Sequence, residues 1–154
     1  MFNFYLQVDI DDVPSYVIPS AAMDKPISFT SVVLTSNPER DPKYLWTWKE
    51  GRIVSLYTGD CWTIEDDNLI LKQINLDERQ KDSQQWKLLR DGRICTIDNS
   101  KFVCIQVDNI RNFDNCPLQI IKFFDNDDPD DTLYCTWKVV THHPDFTQSS
   151  KNNR

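Results

Sequence analysis

Several groups of residues have types suited to site chemistry. The densest is Asp125-Asn126-Asp127-Asp128-Pro129-Asp130-Asp131, a run of hard oxygen donors of the kind calcium takes. It has neither the glycine nor the closing bidentate glutamate of an EF-hand loop, and like charges without a cation extend a loop into solvent, so a solvated acidic loop is the favoured reading. His142 and His143 are adjacent, so no His-x-x-x-His or other spaced metal pair exists, and they read as solvated tail residues. Cys61, Cys95, Cys104, Cys116 and Cys135 never form Cys-x-x-Cys. Their mostly strand-like settings make them core thiols rather than nucleophiles or ligands, with Cys116 beside Pro117 the most exposed. No catalytic residue, metal site or cofactor follows from these groups. Among the aromatics, Trp46, Trp86 and Trp137 read as core. Trp48 and Trp62 alternate differently from their neighbours and are the candidates for exposed recognition.

The elements that must position such residues are bounded first by composition. At 154 residues, with 40% hydrophobic content, five Trp, five Tyr and eight Phe, the chain fits one globular domain. A net charge of −7 argues against nucleic acid or an anionic membrane surface as partner, because both require an excess of Lys and Arg. No apolar stretch approaches a membrane-spanning helix in length. Met1-Phe2-Asn3-Phe4-Tyr5 lacks the layout of a signal peptide. The odd cysteine count and the apolar settings lead to an expectation of five reduced thiols and a cytoplasmic location.

Helix signals are nearly absent. Short β-branched or aromatic runs at Phe29–Leu34, Ile53–Tyr57, Cys61–Ile64, Leu69–Ile74, Ile94–Ile97, Phe102–Val107, Leu118–Phe124 and Tyr134–Val140 predict strands, separated by Asp-, Asn- and Gly-bearing turns. Gln80–Gln84 could form a single helical turn. In Val13-Pro14-Ser15-Tyr16-Val17-Ile18-Pro19 the prolines forbid an interior strand over the whole length, since Pro donates no ladder hydrogen bond. A phrase repeats along the chain. Tyr44-Leu45-Trp46 leads into Gly51-Arg52-Ile53, Gln84-Gln85-Trp86 leads into Gly92-Arg93-Ile94, and Cys135-Thr136-Trp137 is an eroded third copy. A period of roughly forty to fifty residues gives one supersecondary unit per copy. The expected repeats span about 1–51, 52–92 and 93–140, with 141–154 as a tail, and each Trp closes the floor between neighbouring units.

The phrase Gln84-Gln85-Trp86-Lys87-Leu88-Leu89-Arg90-Asp91-Gly92-Arg93-Ile94 resembles the Gln-x-Trp signature of ricin-B-type β-trefoil domains. Asp60-Cys61-Trp62-Thr63-Ile64 is similar to that family's Cys-Leu-x-Val strand, and Leu69–Ile74 to its Val-x-Leu-x-x-Cys strand. The resemblance covers about residues 40–140. It implies an all-β fold, a β-trefoil of three pseudo-symmetric repeats in which half of twelve strands form a barrel and half cap it as hairpins. Sugar-binding copies in the family carry an aspartate two residues after the strand cysteine, an aromatic platform on the next strand and an asparagine just before the Gln-x-Trp. The second copy here has Thr63, Lys72 and Ser83 at those places. A hydroxyl cannot act as the charged bidentate acceptor, and an ammonium offers no flat apolar face. In the third copy the aspartate position falls on Cys104 or Gln106, depending on register.

Two functions remain open. One is a non-enzymatic carbohydrate-binding module with a weak, non-standard site and a glycan or glycoprotein as partner. The other is a protein-binding trefoil, such as a loop-mediated protease inhibitor, with the irregular segment 9–28 and the loop 108–117 as its organs. For sugar binding the third copy is favoured. Phe123 or Phe124 could serve as platform, with Gln106, Asp108, Asn109 and the acidic loop from Asp125 as polar partners.

Overall fold

In a computed structural model, residues 3–19, 30–36, 40–77, 82–106, 116–122 and 133–141 are described. They form thirteen strands: β1 (Asn3–Ile10), β2 (Val13–Pro19), β3 (Thr30–Thr35), β4 (Trp46–Lys49), β5 (Arg52–Ser55), β6 (Cys61–Glu65), β7 (Asn68–Lys72), β8 (Trp86–Leu88), β9 (Ile94–Thr96), β10 (Phe102–Gln106), β11 (Gln119–Ile121), β12 (Leu133–Tyr134) and β13 (Lys138–Val140). Every ladder is antiparallel. Because β1 pairs with both β2 and β4, the order β1-β2-β3-β7-β6-β5-β4 closes on itself. Closure removes the exposed edges that an open sheet would present.

The threefold pattern shows in the ladders that join repeats. β4 pairs with β5, β8 with β9, and β13 with β1, so the chain's end meets its beginning as the other repeats meet each other. One 3-10 turn, Pro42–Tyr44, lies two residues before Trp46 and another, 82–84, two residues before Trp86. The single helical turn predicted at Gln80–Gln84 falls on the second of these, with residues 80 and 81 outside the described residues.

The three tryptophans make the same bond. The indole N–H of Trp46 donates to the Val17 carbonyl at 2.8 Å, that of Trp86 to Trp62 at 3.1 Å, and that of Trp137 to Val103 at 2.9 Å. Each acceptor lies on the second strand of its own repeat, so Val17, Trp62 and Val103 hold one position in three copies. All three tryptophans are buried in a single core with Phe4, Leu6, Ile53, Ile94 and Ile105. The Gly-Arg-Ile phrase has a matching cause. The backbone N–H of Trp86 donates to the Gly51 carbonyl at 2.9 Å, and that of Trp137 to Gly92 at 2.7 Å. Both glycines have positive φ, 78° and 94°, where a side chain is strained. A Cβ on Gly92 would lie 2.9 Å from the Trp137 carbonyl oxygen. The following Ile53 and Ile94 enter the core.

Several expectations need correction. Trp62 is not an exposed recognition residue but is fully buried, because it faces inward at the position held by valine in the other repeats. It packs edge-to-face against Trp46 and Trp86, with ring centroids 5.9 and 5.8 Å away. Trp48 is half-buried against the same core. The segment expected to be irregular from residue 9 is regular as far as Pro19: β1 and β2 form a hairpin turning at Asp11 and Asp12, both in the left-handed region. Residues 20–29 lie outside the described residues. The prolines sit as their missing donors require. β2 pairs with β1 from Val13 to Tyr16 and with β3 from Tyr16 to Pro19, so Pro14 and Pro19 are each paired on one side only.

The thiols also differ from expectation. Cys104 and Cys135 form a disulfide, while Cys61, Cys95 and Cys116 are free. The register explains the pair: β10 and β12 match Ile105 with Tyr134 and Gln106 with Leu133, so Cys104 and Cys135 are the next residues opposite each other. Reading each cysteine in its own strand hid the cross-strand partner.

Candidate functional site

The repeat positions locate the aspartate place that the ricin-B resemblance leads one to expect. The residue after Val17, Trp62 and Val103 is where an anchoring aspartate would stand, and here it is Ile18, Thr63 and Cys104. All three are buried, and none is a carboxylate. The third-copy alternative is thereby settled in favour of Cys104, which is tied to Cys135. Thr63 is turned into the fold: its hydroxyl donates to the Cys61 carbonyl at 3.0 Å and accepts from Gln84 Nε2 at 3.2 Å. Gln84 in turn donates to the Gln73 carbonyl at 2.9 Å and accepts from the Asn75 N–H at 2.8 Å. The glutamine of the Gln-x-Trp phrase is a buried brace between β6, the segment after β7 and β8. Lys72, at the platform position, pairs with Glu65 at 2.7 Å.

A cleft of about 310 Å³ opens instead where the second repeat meets the third. Its second-repeat wall is Ile64, near the end of β6, with Asp82 and Ser83 from the 3-10 turn that ends at Gln84. The opposite wall is the β9–β10 turn. There Asp98 Oδ1 accepts from the Thr96 hydroxyl at 2.6 Å, the Ser100 hydroxyl at 2.7 Å and the Ser100 N–H at 3.0 Å. Those donors stabilise the charged form, led by the Thr96 hydroxyl, and hold its carboxyl down at about 2. Lys101 Nζ donates to Asp67 Oδ1 at 3.1 Å, and this pairing lowers the Asp67 carboxyl. Ile97 adds a half-open apolar surface.

Of the residues expected to bind sugar, only Gln106 is described. It ends β10, half-buried, with its carbonyl accepting from Cys116 Sγ at 3.7 Å. Asp108, Asn109, Phe123, Phe124 and Asp125 lie outside the described residues, as do the acidic run, both histidines and the loop 108–115. Ile121, two residues before Phe123, pairs with Phe102, at the far end of β10 from Gln106. Among the described residues, no group of three or more His, Cys, Asp or Glu could hold a metal ion.

In the sequence Asp98-Asn99-Ser100 reads only as one of the Asp- and Asn-bearing turns between strands. Superposing the repeats at this turn exposes the difference. The turns 55–60 and 96–101 are closed alike, by Ser55 N–H to the Asp60 carbonyl at 2.8 Å and Thr96 N–H to Lys101 at 3.0 Å. They are of equal length, and Asp98 stands where the second repeat has Tyr57, which is 64% exposed; inside them the backbone differs, with Gly59 N–H bonding back to the Ser55 carbonyl but Asn99 N–H to Thr96.

Solved structures place this architecture in a known class. The Vibrio vulnificus hemolysin/cytolysin β-trefoil lectin, with N-acetyl-D-lactosamine bound, is 15% identical at a TM-score of 0.64, over 93% of this chain and 96% of that one. The earthworm R-type lectin C-half, in complex with GalNAc, is 8% identical at 0.65, over 92% and 100%. The designed threefold-symmetric protein ThreeFoil is 16% identical at 0.62, over 90% and 97%. No protein-family model matches the chain, and no curated protein matches it in sequence. The chain has the β-trefoil fold.

Proposed function

We propose that this chain is a non-enzymatic carbohydrate-binding module with a non-standard site. The observation that supports the reading most is its fold, shared over nearly the whole chain with two lectins whose structures hold a sugar. In the third repeat, Gln106, Asp108, Asn109, Phe123, Phe124 and Asp125 would supply an aromatic platform and acceptors for hydroxyls. One stack and two or three hydrogen bonds leave only a few kcal/mol net in water, so monovalent Kd should lie at about millimolar to high micromolar.

A glycan array run beside a protease panel tests this. The reading expects retention of particular glycans, with retention weakened in a Phe123→Ala, Phe124→Ala variant of normal stability. Unchanged binding in that variant moves the sugar site elsewhere. Silence on the array with inhibition of a protease replaces the reading with the loop-mediated inhibitor.

A further inference from the structure

We propose that the cleft between the 82–84 turn and the β9–β10 turn is a ligand site of its own, taking a single neutral pyranose unit and disfavouring acidic sugars. The proposal rests on the carbohydrate-binding reading of the fold and adds a place and a charge preference to it. The cleft is distinct from Gln106, the one described residue of the third-repeat set. Lys101 precedes β10 and Gln106 ends it, a separation of about 16 Å at the rise of a strand.

The size and lining suit such a ligand. At about 310 Å³ the cleft falls at the low end of small-molecule pockets. Ile64 and Ile97 supply an apolar surface for the C–H face of a ring, and Ser83, Thr96 and Ser100 line the cleft beside them. Asp98 is held ionised by three hydrogen bonds that all fall on Oδ1, and a carboxylate has about four acceptor sites over its two oxygens. Its second oxygen can therefore accept from a sugar hydroxyl as a charge-assisted bond.

The corresponding turn of the second repeat, of equal length, has hydroxyls rather than a carboxylate as its side-chain acceptors. Ser55 Oγ accepts from the N–H groups of Tyr57 and Thr58 at 3.1 and 3.2 Å, and Thr58 Oγ1 from Asp60 N–H at 3.1 Å. Asp98 thus puts a negative charge on the cleft wall at the place where the second repeat has Tyr57. With Asp82 on the other wall, and Lys101 already engaged by Asp67, the cleft repels a ligand carboxylate.

The test is an NMR titration of the ¹⁵N-labelled full chain with D-galactose, N-acetyl-D-galactosamine and D-galacturonic acid, up to about 50 mM given the weak affinity expected. Both neutral sugars should shift the amides of Ser83 and Thr96–Lys101, and galacturonic acid should bind about tenfold more weakly or not at all. Ile97→Glu, a change at a half-open position, should weaken the neutral sugars about tenfold with the rest of the spectrum unmoved. Asp98→Asn should narrow the gap between galactose and galacturonic acid, an effect that loss of a structural brace would not produce. Shifts confined to the surroundings of Gln106, with the cleft silent, overturn the inference and leave the carbohydrate reading standing. No shift anywhere with any of the three overturns the inference, and a blank glycan array is then the separate result that removes the reading. Equal binding of the acidic and neutral sugars refutes the charge preference. The mapping on the unmodified chain decides the site even if a variant fails to fold.

Discussion

Replacing Trp86 with phenylalanine isolates the bond that repeats through the molecule. Phenylalanine keeps an aromatic ring in the core but has no N–H, so the Trp62 carbonyl, now 3.1 Å from its donor, is left buried and unpaired. An orphaned buried acceptor costs about 1–3 kcal/mol, and the void left by the smaller ring adds roughly 1 kcal/mol. The expected loss is about 2–4 kcal/mol, which for a chain of this size lowers Tm by about 4–16 °C. Trp46→Phe and Trp137→Phe should agree with it to within about 1 kcal/mol, because their donors sit 2.8 and 2.9 Å from Val17 and Val103 in the same setting. Trp→Ala at any of the three should cost about 3–5 kcal/mol. Trp62→Phe is the control. Its indole N–H is buried with no partner among the described residues, so the change orphans nothing and should cost less than Trp86→Phe by about 1–3 kcal/mol. Urea unfolding followed by tryptophan fluorescence and far-ultraviolet dichroism reads all four. Equal losses for Trp62→Phe and Trp86→Phe, or a Trp137→Phe variant as stable as the parent, would refute the equivalence of the three tryptophans.

Three further outcomes are expected. Thiol titration in denaturant without reductant should count three free thiols, Cys61, Cys95 and Cys116, whereas five would remove the Cys104–Cys135 bridge. Asp98 has a folded value of about 2 against 3.8 for an ordinary aspartate, so its stabilisation is present above 3.8 and lost as pH falls toward 2. The stability difference between the parent and Asp98→Asn in urea melts should therefore stay constant from neutral pH to about 4 and close below it, and a gap that widens in acid would contradict the assignment. Gly92→Ala should cost more than about 1 kcal/mol and more than Gly51→Ala, because the new methyl meets the Trp137 backbone at 2.9 Å in the first case and only the flexible Gln85 side chain at 3.5 Å in the second.

The fold was legible because its repeat is written in large side chains. Trp46, Trp86 and Trp137 recur with a Gly-Arg-Ile turn after the first two, and the structure shows one backbone reason for both parts of the phrase. The first repeat was harder to read. Its valines, Val8 and Val17, fill core positions without a recognisable phrase, and Pro14 and Pro19 conceal a strand that is interior only at Tyr16. What two strands do together was not legible. Cys104 and Cys135 become partners through a register that no single strand reveals, and Trp62 is buried because its counterparts are valines. The cleft was missed for the same reason, since Ser83 and Asp98 lie in different repeats and line one cleft only in the folded chain. The missing aspartates, by contrast, were readable from Thr63 alone, and the structure extends that departure to Ile18 and Cys104.

The central claim is that this trefoil binds neutral sugars, and saturation-transfer NMR on the intact chain measures that without assuming a site. Irradiating the protein in the presence of N-acetyl-D-lactosamine and related neutral oligosaccharides should transfer saturation to ring protons of at least one of them, and unlabelled sugar in excess should compete the signal away. The absence of transfer to every neutral sugar up to tens of millimolar, at the weak limit of the expected affinity, from a protein that unfolds cooperatively, would contradict the account.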